Sequence, residues 1–168
     1  MKSRQVGIRR KPKQRAKKQP APKRASSSSS RPAALPEQRP RIGLEATVER
    51  VVELRHTIRA VNPELPAVFS TPMMIALMEH ATVKAITPEL PPGAISVGTR
   101  IEVDHLKAVG TGANVVAWAK FTEYRGRFLV FEVEARSGEH VIGRGKVFRA
   151  IVQPREHGEK AAARVEQK

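Results

Sequence analysis

The sequence predicts an α+β domain, one helix packed on an antiparallel sheet of about five strands, preceded by a disordered basic tail. Three observations lead there. Only one stretch, from Met74 to Ala85, repeats its apolar residues at helical spacing, whereas five others alternate with a period of two. Two of the alternating stretches end at Arg125-Gly126 and Ser137-Gly138, which read as hairpin turns. Thirteen of the 31 Lys and Arg, but only one of the 16 Asp and Glu, fall within residues 1–40.

The tail comes first in the chain. Residues 1–42 are mostly Lys, Arg, Pro, Gln, Ala and Ser, and the formal charge of +15 divides into +12 over residues 1–40 and +3 in the rest. Such a segment cannot bury enough apolar surface to offset the entropy of ordering it. A solvated linker, a loose contact with nucleic acid or another polyanion, and an organellar presequence all fit its composition. No aromatic residue precedes Phe69, so a stacking platform for bases is missing. The chain has no cysteine, which excludes disulfides, a thiolate nucleophile and Cys-ligated zinc. No apolar run reaches the ~18–20 residues of a membrane span, and no signal-peptide core stands near the start, so a cytoplasmic location is expected.

The body, residues 43–153, opens with a strand from Ala46 to Arg59, where Val48, Val52, Leu54, His56 and Ile58 share one parity. A Pro-rich loop follows, from Asn62-Pro63 to Leu65-Pro66. Ser70-Thr71-Pro72 then supplies an N-cap hydroxyl with Pro at the first helical position. Met74, Leu77, Met78, Ala81 and Ala85 would face the core, and Pro88, Pro91, Pro92 and Gly93 end the helix. Ile95, Val97, Thr99, Ile101 and Val103 share one parity and lead to His105. Strands over 115–124, 128–135 and 141–152 complete the set, their short links requiring antiparallel pairing. Residues 154–168 form a polar C-terminal tail. One helix covers one face only, and a sheet of this size leaves open edges, so two copies are expected to join edge to edge as a homodimer.

Three residues are candidates for chemistry. Glu79 shares its helix side with Ile75, Ala76 and Val83, an apolar setting in which desolvation favours a basic carboxylate; it is equally a boundary Glu that meets water or an Arg. His105, at a strand end, suits proton transfer near neutral pH and equally suits a satisfied edge position. Thr71 is already explained as the N-cap, and on a straight helix it stands about 12 Å from Glu79. To share a site, the two need a spanning substrate, a bent helix start or a second subunit. His56, His80, His140 and His157 show no metal-ligand spacing, so no metal site is expected.

The runs Phe69 to His80, Ser96 to His105, Phe131 to Ala135 and Ile142 to Ala150 resemble, in order, those of the fluoroacetyl-CoA thioesterase-like family. The resemblance implies a hot-dog fold, a dimer, and cleavage of a small acyl-CoA thioester with no cofactor, coenzyme A being part of the substrate. It implies a trio of Thr71, Glu79 and His105. In it Glu79 attacks the carbonyl or activates water, His105 transfers protons and Thr71 orients the carboxylate or substrate. It also implies that Gly98 brings a backbone N–H to the acyl group and that Arg149 lies near the acyl pocket. Arg100, Lys107, Arg144 and Lys146 are available for the coenzyme A phosphates. The loop 61–68 departs from the family pattern: it is shorter and lacks the lid phenylalanines, so an acyl group other than fluoroacetyl is expected. Two alternatives stand beside this reading. A hot-dog hydratase would want an Asp that the helix lacks; a non-catalytic acyl-CoA sensor or scaffold would use the basic tail to bind a polyanion.

Overall fold

The computed structural model describes residues 39–155, 158 and 159. The expectation of a disordered basic tail lies outside the described residues except at 39–42, as does most of the polar C-terminal tail. Strands β1 (Glu45–Val51), β2 (Ile95–His105), β3 (Asn114–Arg125), β4 (Phe128–Ser137) and β5 (His140–Val152) form one sheet in the order β1-β3-β4-β5-β2. Every neighbouring pair is antiparallel, and helix α1 (Thr71–Ile86) covers one face. Both hairpins turn through two residues, and Gly126 (φ 61°) and Gly138 (φ 56°) take the left-handed conformation that the first turn position demands.

The five apolar residues read from the helical spacing, Met74, Leu77, Met78, Ala81 and Ala85, are all buried. With Ile86 they pack on Val115, Ala117, Ala119, Phe121, Phe131 and Val133 of the central strands. Burying each large side chain of this face stabilises the fold by about 1.5–3 kcal/mol. The Phe121 ring anchors the far end, edge-on to Tyr124 at 4.9 Å and tilted against Phe131 at 5.3 Å. Residues 39–42 lie against this end: the Tyr124 hydroxyl donates to Pro40 O at 2.8 Å, and Arg41 Nε donates to Glu89 at 2.8 Å.

Three local expectations are corrected. The first strand stops at Val51 and does not run to Arg59. Val52 leaves β1 by bonding Ala113 O and receiving Gly112 N, and two 3-10 turns, Leu54–His56 and Ile58–Ala60, follow. In β2 the shared parity breaks at a bulge between Gly98 and Arg100. Gly98 faces α1, as does Val103, although the two are an odd five positions apart. Third, the N-cap is Ser70, whose side chain makes no capping bond; Thr71 and Pro72 occupy the first turn. The Ser70 carbonyl receives Met74 N at 3.0 Å, and its N–H is taken by His56 O at 3.0 Å.

Candidate active site

The shift of the N-cap to Ser70 frees the Thr71 hydroxyl, which lies 2.8 Å from His105 Nδ1. Gly143 makes this approach possible. It pairs with His105 across β5 and β2, and a Cβ there would stand 2.5 Å from Met74 Sδ. Without that Cβ, Met74 settles over β5 and the helix start reaches the end of β2. Leu106 N bonds Ile142 O at 2.8 Å just beyond, fixing where the strand ends. The other ring nitrogen, His105 Nε2, is buried and has no hydrogen-bond partner among the described residues. One imidazole nitrogen is thus committed to Thr71, while the other remains open to a proton donor or acceptor.

Glu79 lies two turns further along α1. Its carboxylate is not isolated in an apolar stripe: the side chain is 33% exposed, and Oε1 accepts from Arg149 Nη1 at 3.2 Å. The Arg149 side chain is only 5% exposed. Burial pulls its guanidinium down from the usual arginine range, and the Glu79 charge and hydrogen bond oppose that pull. Arg149 is locked from behind by Ser96, its Nε donating to Ser96 Oγ at 3.0 Å and its Nη2 to Ser96 O at 2.8 Å. Gly98, directly across the β2–β5 ladder from Arg149, lies beneath the carboxylate, and a Cβ there would overlap Glu79 Oε1. Its backbone is not left-handed, so glycine serves here for close approach alone. Glu79, Gly98, Thr99, Arg100 and Ile101 line a shallow, open depression along the outer edge of β2.

The structure therefore gathers the five residues singled out in the sequence into two groups, Thr71 with His105 and Glu79 with Arg149 and Gly98. α1 runs unbroken from Thr71 to Ile86, so no bend brings Thr71 to Glu79. Sequence reasoning missed Ser96 as the anchor of Arg149. Its only signal was a polar residue two positions before Gly98, and the pairing with β5 that gives it meaning is not visible in the chain. Of the four cations offered for phosphates, Arg144 and Lys146 lie on the sheet face away from α1, opposite Glu134 and Glu132. Arg100 pairs with Glu102 and lies 5.4 Å from the Phe148 ring, and exposed Lys107 follows β2. Among the described residues no cluster of His, Asp or Glu could hold a metal ion, and no helix is long and apolar enough to cross a membrane.

A single long helix over an antiparallel sheet, with the candidate site on one long edge strand, defines a hot-dog protein of the thioesterase kind. A thioesterase superfamily member from Thermus thermophilus shares the fold, 27% identical with a TM-score of 0.69 over 76% of this chain and 97% of that one. More closely, the chain belongs to the fluoroacetyl-CoA-specific thioesterase family, whose model matches residues 52–155. The fluoroacetyl-CoA thioesterase of Streptantibioticus cattleyicolor is 39% identical over 134 residues, 76% of this chain and 94% of that protein. A variant fluoroacetyl-CoA-specific thioesterase solved with fluoroacetate and CoA is 36% identical, with a TM-score of 0.63 over 70% of this chain and 98% of that one. Membership of this family makes the chain a thioester hydrolase.

Proposed function

We propose that the protein hydrolyses the thioester of a small acyl-CoA, releasing the acid and free coenzyme A, in sites shared between the two copies of a homodimer. The observation that carries this reading is the Glu79 carboxylate, pressed onto the Gly98 backbone and held by a buried, doubly anchored arginine. Such a carboxylate is oriented before substrate arrives, which is what attack on a carbonyl or on a positioned water requires. With Arg149 binding Oε1, Oε2 is left for the reaction. In one route it adds to the thioester carbonyl, the C–S bond breaks, and water then cleaves the resulting anhydride. In the other it takes a proton from water, whose oxygen adds to the carbonyl. Both consume one water and place a proton on the departing thiolate, a transfer suited to the open Nε2 of His105. Thr71 holds that imidazole by Nδ1. Neither route calls for a cofactor.

The edge of β2 supports the dimer. It is eleven residues long, pairs with no strand on its outer side among the described residues, and exposes Ile95 and Ile101. Antiparallel pairing of two such edges brings the His105 end of one strand alongside the Gly98 part of the other. Thr71 and His105 of one copy then meet Glu79 of the second, which answers the separation of about 12 Å along α1. The relative's substrate, fluoroacetyl-CoA, supports a small acyl group. The loop 61–68 carries no aromatic residue, so we propose a preference not restricted to the fluorinated acid.

The test is free-thiol release from short acyl-CoA thioesters, wild type beside Glu79→Gln, followed by a single turnover in ¹⁸O-water. Loss of turnover with CoA affinity kept supports the carboxylate's role, and label in the Glu79 carboxylate selects the anhydride route. A wild-type dimer that binds the thioesters without cleaving them overturns the reading in favour of a non-catalytic acyl-CoA sensor.

A further inference from the structure

Behind the helix start lies a polar cluster that none of this chemistry uses. His56 is 4% exposed, and its backbone carbonyl receives the Ser70 N–H, one residue before Thr71. Glu53 N lies 3.1 Å from its Nδ1, and Arg50 Nη1 and Arg55 Nε each lie 3.3 Å from its Nε2. A backbone N–H and a guanidinium can only donate, whereas a neutral imidazole offers one lone pair and one N–H. If Nδ1 accepts from Glu53, the Nε2–H faces two guanidinium groups. If Nε2 accepts instead, the Nδ1–H faces the Glu53 N–H. In either tautomer the donors outnumber the acceptors around the buried ring. The carboxylate within reach, Glu53, takes Arg55 Nη2 at 2.9 Å and makes no contact with Arg50. Arg50 forms no ion pair with any described carboxylate, so the cluster keeps an excess positive charge.

We propose that Arg50, Arg55 and His56 form a binding site for a phosphate-type oxyanion. Several acceptor oxygens on one centre suit donors converging from three side chains, and guanidinium groups match phosphate better than ammonium does. An anion at this place offsets the Arg50 charge and supplies the missing acceptor. It is reached from the Arg55 side, where the side chain is 73% exposed. Two sources share this chemistry: a phosphate of coenzyme A, which rests on the thioesterase reading, and free phosphate, which does not.

The experiment uses the full chain and inorganic phosphate, titrated by calorimetry and by thermal midpoint against chloride of matched ionic strength. Phosphate is expected to bind the wild type and raise its midpoint, with binding at least tenfold weaker in Arg50→Gln. Arg55→Gln, altered at a mostly exposed side chain, is expected to weaken binding as well and serves if Arg50→Gln does not fold. No phosphate binding by the wild type, or equal binding by a folded variant, overturns the site whether or not the protein hydrolyses thioesters. Kinetics then name the source. If the KM for acyl-CoA rises in the variant relative to that for the same acyl-pantetheine thioester, which lacks the phosphates, the occupant is a coenzyme A phosphate. A ratio unchanged from wild type assigns the site to free phosphate.

Discussion

Replacing Gly98 by alanine separates the position of Glu79 from its presence. A Cβ at Gly98 overlaps Glu79 Oε1 and stands 3.4 Å from its Cδ and 3.9 Å from Arg149 Nη1. The carboxylate must retreat by about 1 Å to restore ordinary contact. It is the end of a flexible side chain, so the sheet need not move. Gly98 is not left-handed, and alanine there reduces the freedom of the unfolded chain by about 0.4–1 kcal/mol. Against this stands a weakened bond to Arg149. Hydrogen bonds to charged groups contribute about 1.5–3 kcal/mol, and less here because the Glu79 side chain is 33% exposed. The two effects nearly cancel, so the thermal midpoint is expected to move by no more than about 5 °C. Turnover has no such compensation: misplacing a reacting group by about 1 Å costs on the order of 10²-fold. The assay is free-CoA release over a panel of short acyl-CoA thioesters, with thermal unfolding beside it. A folded Gly98→Ala protein whose kcat/KM stays within about threefold of wild type refutes the claim that the geometry over Gly98 matters for catalysis.

Other substitutions probe the remaining contacts. Ser96→Ala removes one of the two bonds that lock buried Arg149, and kcat is expected to fall about tenfold with KM nearly constant; Ser96→Thr, which keeps the hydroxyl, should restore most of the loss. Thr71→Ala frees the His105 ring and is expected to lower kcat by about 10–10²-fold, whereas Thr71→Ser should stay within a few-fold of wild type. A Cβ at Gly145 would collide with the backbone of Glu102 on β2, so Gly145→Ala is expected to destabilise the domain by more than about 2 kcal/mol, read as a lowered denaturant midpoint. An unchanged midpoint would mean that β2 yields more easily than the ladder implies.

What could be read from the chain differs from residue to residue. The core face of α1 was legible because 3.6-residue periodicity is a property of the helix alone, and the hairpins because glycine at a tight turn is a local requirement. β1 was read too long because Leu54, His56 and Ile58 continue an alternation that the 3-10 turns, tied to Val68 and Ser70 through Ile58 N and His56 O, do not use. The break in β2 was hidden for a similar reason, since a bulge is defined by the strand across from it. Thr71, Glu79 and His105 each looked ordinary alone, and only the family resemblance singled them out together. Neither the two bonds from Ser96 nor the surplus of donors around His56 can be found by spacing, because each joins residues that meet only in the folded chain.

The unbroken course of α1 between Thr71 and Glu79 makes the proposed shared sites open to genetic complementation. Suppose chains carrying Thr71→Ala and chains carrying Glu79→Gln are each inactive and are then unfolded, mixed in equal amounts and refolded together. With every site built from both copies, a mixed pair contains one site bearing both lesions and one bearing neither. Random assortment would then return about a quarter of the wild-type rate from two dead parents. If each chain instead completes its own site, every site in the mixture keeps one lesion and nothing is regained. The helix thus turns a question about atomic positions into one that two inactive proteins and a test tube can answer.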